Sequence, residues 1–174
     1  MSVLTEKEDL LLVIDYVKKR EHCQRLILGG CSQGGLVTAL AAAEMPDSVE
    51  KIFLVYPALC IPDDARCGSM LGTKIDPVDL PDSFRVMGYV RLGSRYVTDA
   101  RTLEPWSEIC SYKGPVLLLH GTADGMVNIA YSRTAAQAYE NATLIEFEGA
   151  KHLFTNPKTV RRAAACISDF LALP

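Results

Sequence analysis

Arg25-Leu26-Ile27-Leu28-Gly29-Gly30-Cys31-Ser32-Gln33-Gly34-Gly35-Leu36 is the stretch that decides how the chain is read. It opens as a short apolar run, turns through small residues, and continues as Leu36, Leu40 and a set of alanines at helical spacing up to Pro46. At its centre, Gly30-Cys31-Ser32-Gln33-Gly34 fits Gly-x-Ser-x-Gly, after an expected strand and opening an expected helix. A serine at the point of such a turn occupies strained backbone and holds its hydroxyl clear of the chain. Side chains two residues before and after it would collide, so Gly30 and Gly34 are both expected to be required. The helix start aims the N–H of Gln33 at the spot where an oxyanion would form. The residues alone leave a second reading open, a glycine-rich strand-to-helix connection with an incidental serine. A nucleophilic Cys31 fits less well, because framing the pattern on it puts Gln33 where the second glycine must be.

The uncharged stretch from Leu26 to Ala43 is long enough to suggest a membrane span. Its glycines, serine and glutamine argue for strand, turn and helix instead. Upstream, Thr5-Glu6-Lys7-Glu8 predicts a capping box with Thr5 as the cap, opening a helix through Leu10, Ile14 and Val17 to about Arg20. Arg25 to Gly29, Lys51 to Pro57 and Pro115 to His120 read as apolar strands. A helix from about Asn128 to Tyr139 and a strand from Thr143 to Phe147 follow. Asn156-Pro157 opens a last helix, with Val160, Ala164, Ile167 and Leu171 as its apolar face. Continuously apolar strands alternating with helices describe an α/β fold, a parallel sheet covered on both sides. Residues 60–114, rich in Pro, Gly and Asp, read as an insertion between two strands of a single domain spanning 1–174.

Composition narrows the classes. The 174 residues carry 18 Lys and Arg against 21 Asp and Glu, a net charge of −3 that gives no reason to expect nucleic acid or a membrane surface as partner. A hydrophobic content of 49% excludes intrinsic disorder. The first twenty residues are rich in charge, and Leu10 to Ile14 is too short for a secretory signal. The six cysteines show no close metal spacing and read as reduced thiols, which points to the cytoplasm. No metal cluster, phosphate loop or dinucleotide fingerprint stands in the sequence, so no cofactor is expected.

A nucleophilic serine needs a base, and the chain offers His22, His120 and His152. His22 falls between the first helix and strand, away from the expected chemistry. His120 ends a strand, where an imidazole bonded to backbone is the natural reading. His152 lies in Gly149-Ala150-Lys151-His152, a loop after the last strand, and such loops are where open α/β sheets bind ligands. Asp124, in His120-Gly121-Thr122-Ala123-Asp124, follows the next-to-last strand and is the candidate orienting acid, with an ordinary turn aspartate as the alternative. The chain order is Ser32, Asp124, His152.

With these motifs the sequence resembles an α/β-hydrolase of the serine-esterase type, over nearly its whole length. The insertion and the run Phe147-Glu148-Gly149-Ala150-Lys151-His152 are similar to bacterial cinnamoyl (feruloyl) esterases. The resemblance implies a small-molecule ester as substrate, attack by Ser32, proton transfer by His152 and orientation of His152 by Asp124. It also implies an Asp and a Tyr from the insertion that hold phenolic hydroxyls. Asp64 and Tyr96 fall at suitable places for these, although the residues alone read as a solvated loop acid and a packed aromatic. Peptidases, lipases and thioesterases share the same motifs.

The family sheet has further strands before the nucleophile strand, one of them carrying a second oxyanion donor. Residues 1–31 hold one helix and one strand and no such glycine loop. The expectation is therefore an amino-terminally truncated fold, in which the nucleophile strand is an exposed edge open to self-association. An incomplete, non-catalytic hydrolase fragment or interaction protein is the competing reading.

Overall fold

The computed structural model describes residues 1–20, 23 and 25–173, so His22 lies outside the described residues. Helix α1 (Val3–Lys19) is followed by β1 (Ile27–Cys31), α2 (Gln33–Glu44) and β2 (Lys51–Val55). The insertion then supplies α3 (Ile61–Arg66), the hairpins β3 (Ser69–Met70) with β4 (Thr73–Lys74) and β5 (Ser83–Val86) with β6 (Val90–Gly93), and helices α4 (Ser94–Thr102) and α5 (Pro105–Glu108). Strand β7 (Val116–Gly121), α6 (Ala130–Ala138), β8 (Ala142–Phe147) and α7 (Pro157–Ala172) complete the order.

Among the described residues, the main sheet is parallel throughout and runs β1-β2-β7-β8. All six residues of β7 are buried, as a strand covered on both faces requires. The stretch 26–43 is strand, turn and helix, and no helix among the described residues is long and apolar enough to cross a membrane. Strand β1 is an edge of this sheet among the described residues, with Gly29 and Cys31 exposed. The Phe53 ring of β2 lies across Gly29, where an added Cβ would sit 2.0 Å from Phe53 Cζ. Residues of the insertion (Tyr96, Val97, Ala100, Tyr112) bury into the same core as Leu36, Leu40 and Leu54.

Two local expectations are corrected. The cap of α1 is Ser2, not Thr5: the Ser2 hydroxyl accepts from the Thr5 N–H, and the Thr5 hydroxyl accepts from the Ser2 N–H. The reciprocal box therefore closes three residues earlier than the Thr5–Glu8 pattern suggests. Helix α7 turns Ala163, Cys166, Ile167 and Phe170 toward the sheet and leaves Val160, Ala164 and Leu171 exposed. Buried Lys51 on β2 donates to the carbonyls of Phe170 and Leu173, placing a cation at the carboxyl end of that helix.

Candidate active site

Ser32 links β1 to α2 with φ 51° and ψ −122°, a conformation that L-residues rarely adopt. The turn is held by its own backbone. Ser32 N–H donates to Val55 O (3.0 Å), and Ser32 O accepts from Ala58 N–H (2.8 Å) and Gly35 N–H (2.9 Å). An added Cβ at Gly30 would lie 2.1 Å from the Gly34 carbonyl oxygen, so Gly30 is required as expected. Gly34 is not: a Cβ there meets nothing within 4 Å. The second crowded position is Gly35, whose Cβ would come within 2.8 Å of Pro57 Cβ. The N–H of Gln33 lies in the first turn of α2, where the helix supplies no acceptor for it.

His152 follows β8 and packs its imidazole against the Tyr56 ring, with centroids 4.5 Å apart. Its Nε2 lies 3.1 Å from Ser32 Oγ and its Nδ1 lies 2.7 Å from Asp124 Oδ2. The structure thus brings Ser32, Asp124 and His152 into one hydrogen-bonded line. Asp124 Oδ1 accepts the N–H groups of Met126 (2.9 Å) and Val127 (3.0 Å). Burial pushes the Asp124 carboxyl up, but the bonds from Val127, His152 and Met126 outweigh it and hold the group below the usual carboxylate range.

His120 is fully buried beside this line. Its Nδ1 is 2.7 Å from Ser132 Oγ, and its Nε2 is 3.1 Å from Val127 O and 3.2 Å from Asp124 Oδ2. Burial lowers its pKa, so the ring is neutral at pH 7. The loops bearing Asp124 and His152 are stapled together. Thr122 N–H donates to Phe147 O (3.0 Å), Ala123 N–H to Ala150 O (3.0 Å), and Gly149 N–H to Thr122 Oγ1 (2.8 Å). Gly121 admits that approach, because a Cβ on it would meet Ala150 O at 2.2 Å.

A cavity of about 270 Å³ opens at Ser32 and His152. Met70, Met126 and Val127 give it apolar walls, and Gln33, Asp64 and Tyr96 supply polar atoms. Asp64 is therefore not a solvated loop acid: it sits half-buried on α3, and burial pushes its carboxyl up despite the neighbouring Cys60 thiol. Tyr96 is a packed aromatic that also lines the cavity. Among the described residues, no group of three or more His, Cys, Asp or Glu could hold a metal ion.

No protein-family model and no curated protein matches the sequence. Among solved structures, Est1E from Butyrivibrio proteoclasticus matches with a TM-score of 0.93 at 30% identity, covering 98% of this chain and 70% of that one. The chain belongs to the α/β-hydrolase superfamily. A second Est1E structure, with ferulic acid bound, matches with the same TM-score and identity and is covered over 68% of its length. The monoacylglycerol lipase of Paleococcus ferrophilus shares the α/β-hydrolase fold, with a TM-score of 0.72 at 23% identity over 98% of this chain and 75% of that one.

Several residues of this α/β-hydrolase site carry no sequence signal of their own. Tyr56 has φ 38° at the end of β2, and burial, reinforced by Cys31 and Asp124, pushes its phenol up to about 12. Cys60 is buried in the cavity wall, and burial beside Asp64 raises its thiol to about 12. Glu6 reaches the site from α1, where only a solvent-facing helical acid would be read.

Proposed function

We propose that the chain is a carboxylic ester hydrolase that works through an acyl-enzyme on Ser32, with aromatic esters of the hydroxycinnamoyl type as its substrate class. The observation that carries this reading is the hydrogen-bonded line Ser32–His152–Asp124 at the mouth of a cavity with apolar walls. His152 Nε2 takes the Ser32 proton as Oγ attacks the ester carbonyl, and the imidazolium returns it to the leaving alcohol. Asp124 Oδ2 accepts from Nδ1–H, which fixes the tautomer and stabilises the imidazolium. The Gln33 N–H stabilises the oxyanion, and water then releases the acyl group by the same proton relay.

The substrate class rests on the cavity and on the likeness to Est1E, one structure of which holds ferulic acid. Asp64 offers carboxylate oxygens. Tyr96 donates its hydroxyl hydrogen to Gln33 Oε1 (2.6 Å), which leaves its oxygen as an acceptor. Two acceptors within apolar walls suit an aryl ring bearing a hydroxyl.

Hydrolysis of 4-nitrophenyl acetate and methyl ferulate by purified protein, beside S32A, tests the reading. The expected result is turnover of both esters and a loss of at least about 10³-fold in S32A. Equal rates for the two proteins would favour a non-catalytic domain. Turnover of the acetate with none of the ferulate would remove the substrate class and leave the esterase.

A further inference from the structure

We propose that Glu6, in the first turn of α1, is a specificity-determining positioning residue: its carboxylate sets the direction of the Gln33 side-chain amide, and the amide makes Tyr96 a hydrogen-bond acceptor toward the cavity. The inference rests on the ester-hydrolase reading only in placing the substrate's acyl group in that cavity.

Glu6 Oε2 lies 2.7 Å from Gln33 Nε2, and Gln33 Oε1 lies 2.6 Å from the Tyr96 hydroxyl. A carboxylate accepts hydrogen bonds and donates none, so the amide must present its NH₂ to Glu6. Its carbonyl then faces Tyr96, and the single phenolic hydrogen goes to that carbonyl. Tyr96 is 3% exposed. Burial, with the charge of Glu6 next in weight and Cys60 and Asp64 behind it, raises the phenol's pKa, so the hydrogen stays available to donate. What Tyr96 offers to a ligand is a lone pair.

The three residues belong to three separate elements. Glu6 is on α1, Gln33 follows the nucleophile on α2, and Tyr96 is on α4 of the insertion. A second bond, from Ser2 Oγ to Asp99 Oδ2 at 2.5 Å, fastens the start of α1 to α4. The acidic side chain is therefore delivered to Gln33 at a fixed height, and no displacement of the backbone is needed to change the polarity of Tyr96. Without an obligate acceptor at position 6, the amide is free to turn over. Gln33 Nε2 then donates to the Tyr96 oxygen, and the phenolic hydrogen is released toward the cavity. A ligand hydroxyl loses an acceptor, and a ligand methoxy group gains a donor.

Binding separates these states without turnover. Methyl 4-hydroxycinnamate and methyl 4-methoxycinnamate are titrated calorimetrically into S32A, S32A/E6Q, S32A/E6L and S32A/E6M. In S32A the hydroxy ester is expected to bind about tenfold more tightly, the value of one neutral hydrogen bond. E6Q carries a donor as well as an acceptor, no longer obliges the Gln33 amide to one direction, and is expected to lower that ratio. E6L and E6M are expected to lower it at least about threefold, Asp64 remaining as the other acceptor, and having two apolar variants guards against one that does not fold. No preference in S32A, or an unchanged ratio in a folded E6L or E6M protein, overturns the proposal. Turnover of 4-nitrophenyl acetate by the protein carrying Ser32 is measured separately. An inert protein with the expected shift in ratio would sink the hydrolase reading alone, and an active one with no shift would sink this inference alone.

Discussion

Gly30→Ala is expected to break the turn that presents Ser32, whereas Gly34→Ala is expected to leave it standing. The two glycines are equivalent in the motif, but their surroundings are not. An alanine Cβ at position 30 would lie 2.1 Å from the Gly34 carbonyl oxygen and 2.5 Å from both the Gly34 carbonyl carbon and Thr38 Oγ1. The nearest of these is main chain, so no side-chain rotation relieves the overlap. The first turn of α2 must retreat by roughly 1 Å to restore ordinary contact. Overpacking of this kind costs about 1–3 kcal/mol. A displacement of that size in a reacting group costs about 10²-fold in rate. A Cβ at position 34 would meet nothing within 4 Å, and replacing a helical glycine there gains up to about 1 kcal/mol. Urea unfolding and 4-nitrophenyl acetate hydrolysis read both effects. A G30A protein as stable and active as the parent, or a G34A protein damaged to the same degree as G30A, would refute the steric reasoning.

Two further outcomes follow from the buried polar groups. D124N keeps the side chain's shape but presents an amide to His152 Nδ1, and is expected to lower ester turnover by about 10⁴-fold with little change in KM; a change of less than tenfold in steady-state kinetics would remove Asp124 from the orienting role. His120 has its pKa lowered by burial, so below about pH 6.5 the unfolded chain takes up a proton that the folded one does not, and stability falls as pH drops through that window by up to about 1.4 kcal/mol per unit. Urea midpoints at pH 7 and pH 5 should show this fall, and H120Q should show a shallower one; identical slopes would count against His120 as its source.

What could be read in the sequence is what depends on near neighbours in the chain. The alternation of apolar strands with helices reports the sheet's burial, so a parallel sheet covered on both sides is legible, although the order β1-β2-β7-β8 is not. Ser32, Asp124 and His152 stand at strand ends, and the structure brings their side chains together. The motif does not show that Gly34 is uncrowded, because collision at the elbow depends on what packs against it. Pro57, arriving from the end of β2, makes Gly35 the crowded position instead. Asp64 looks solvated until α3 folds it against the cavity beside Cys60. The link from Glu6 through Gln33 to Tyr96 joins segments far apart in the chain, and no local pattern encodes it.

Acylation marks the nucleophile itself, and peptide mapping reads which side chain carries it. The protein is mixed with 4-nitrophenyl acetate, quenched in acid within the first turnover, digested and mapped by peptide mass. An acetyl group is expected on Ser32 in the parent, accumulating much more slowly in H152A and absent from S32A. Acetylation that survives in S32A, on Cys31 for example, or none in a parent that still releases nitrophenol, would contradict Ser32 as the nucleophile.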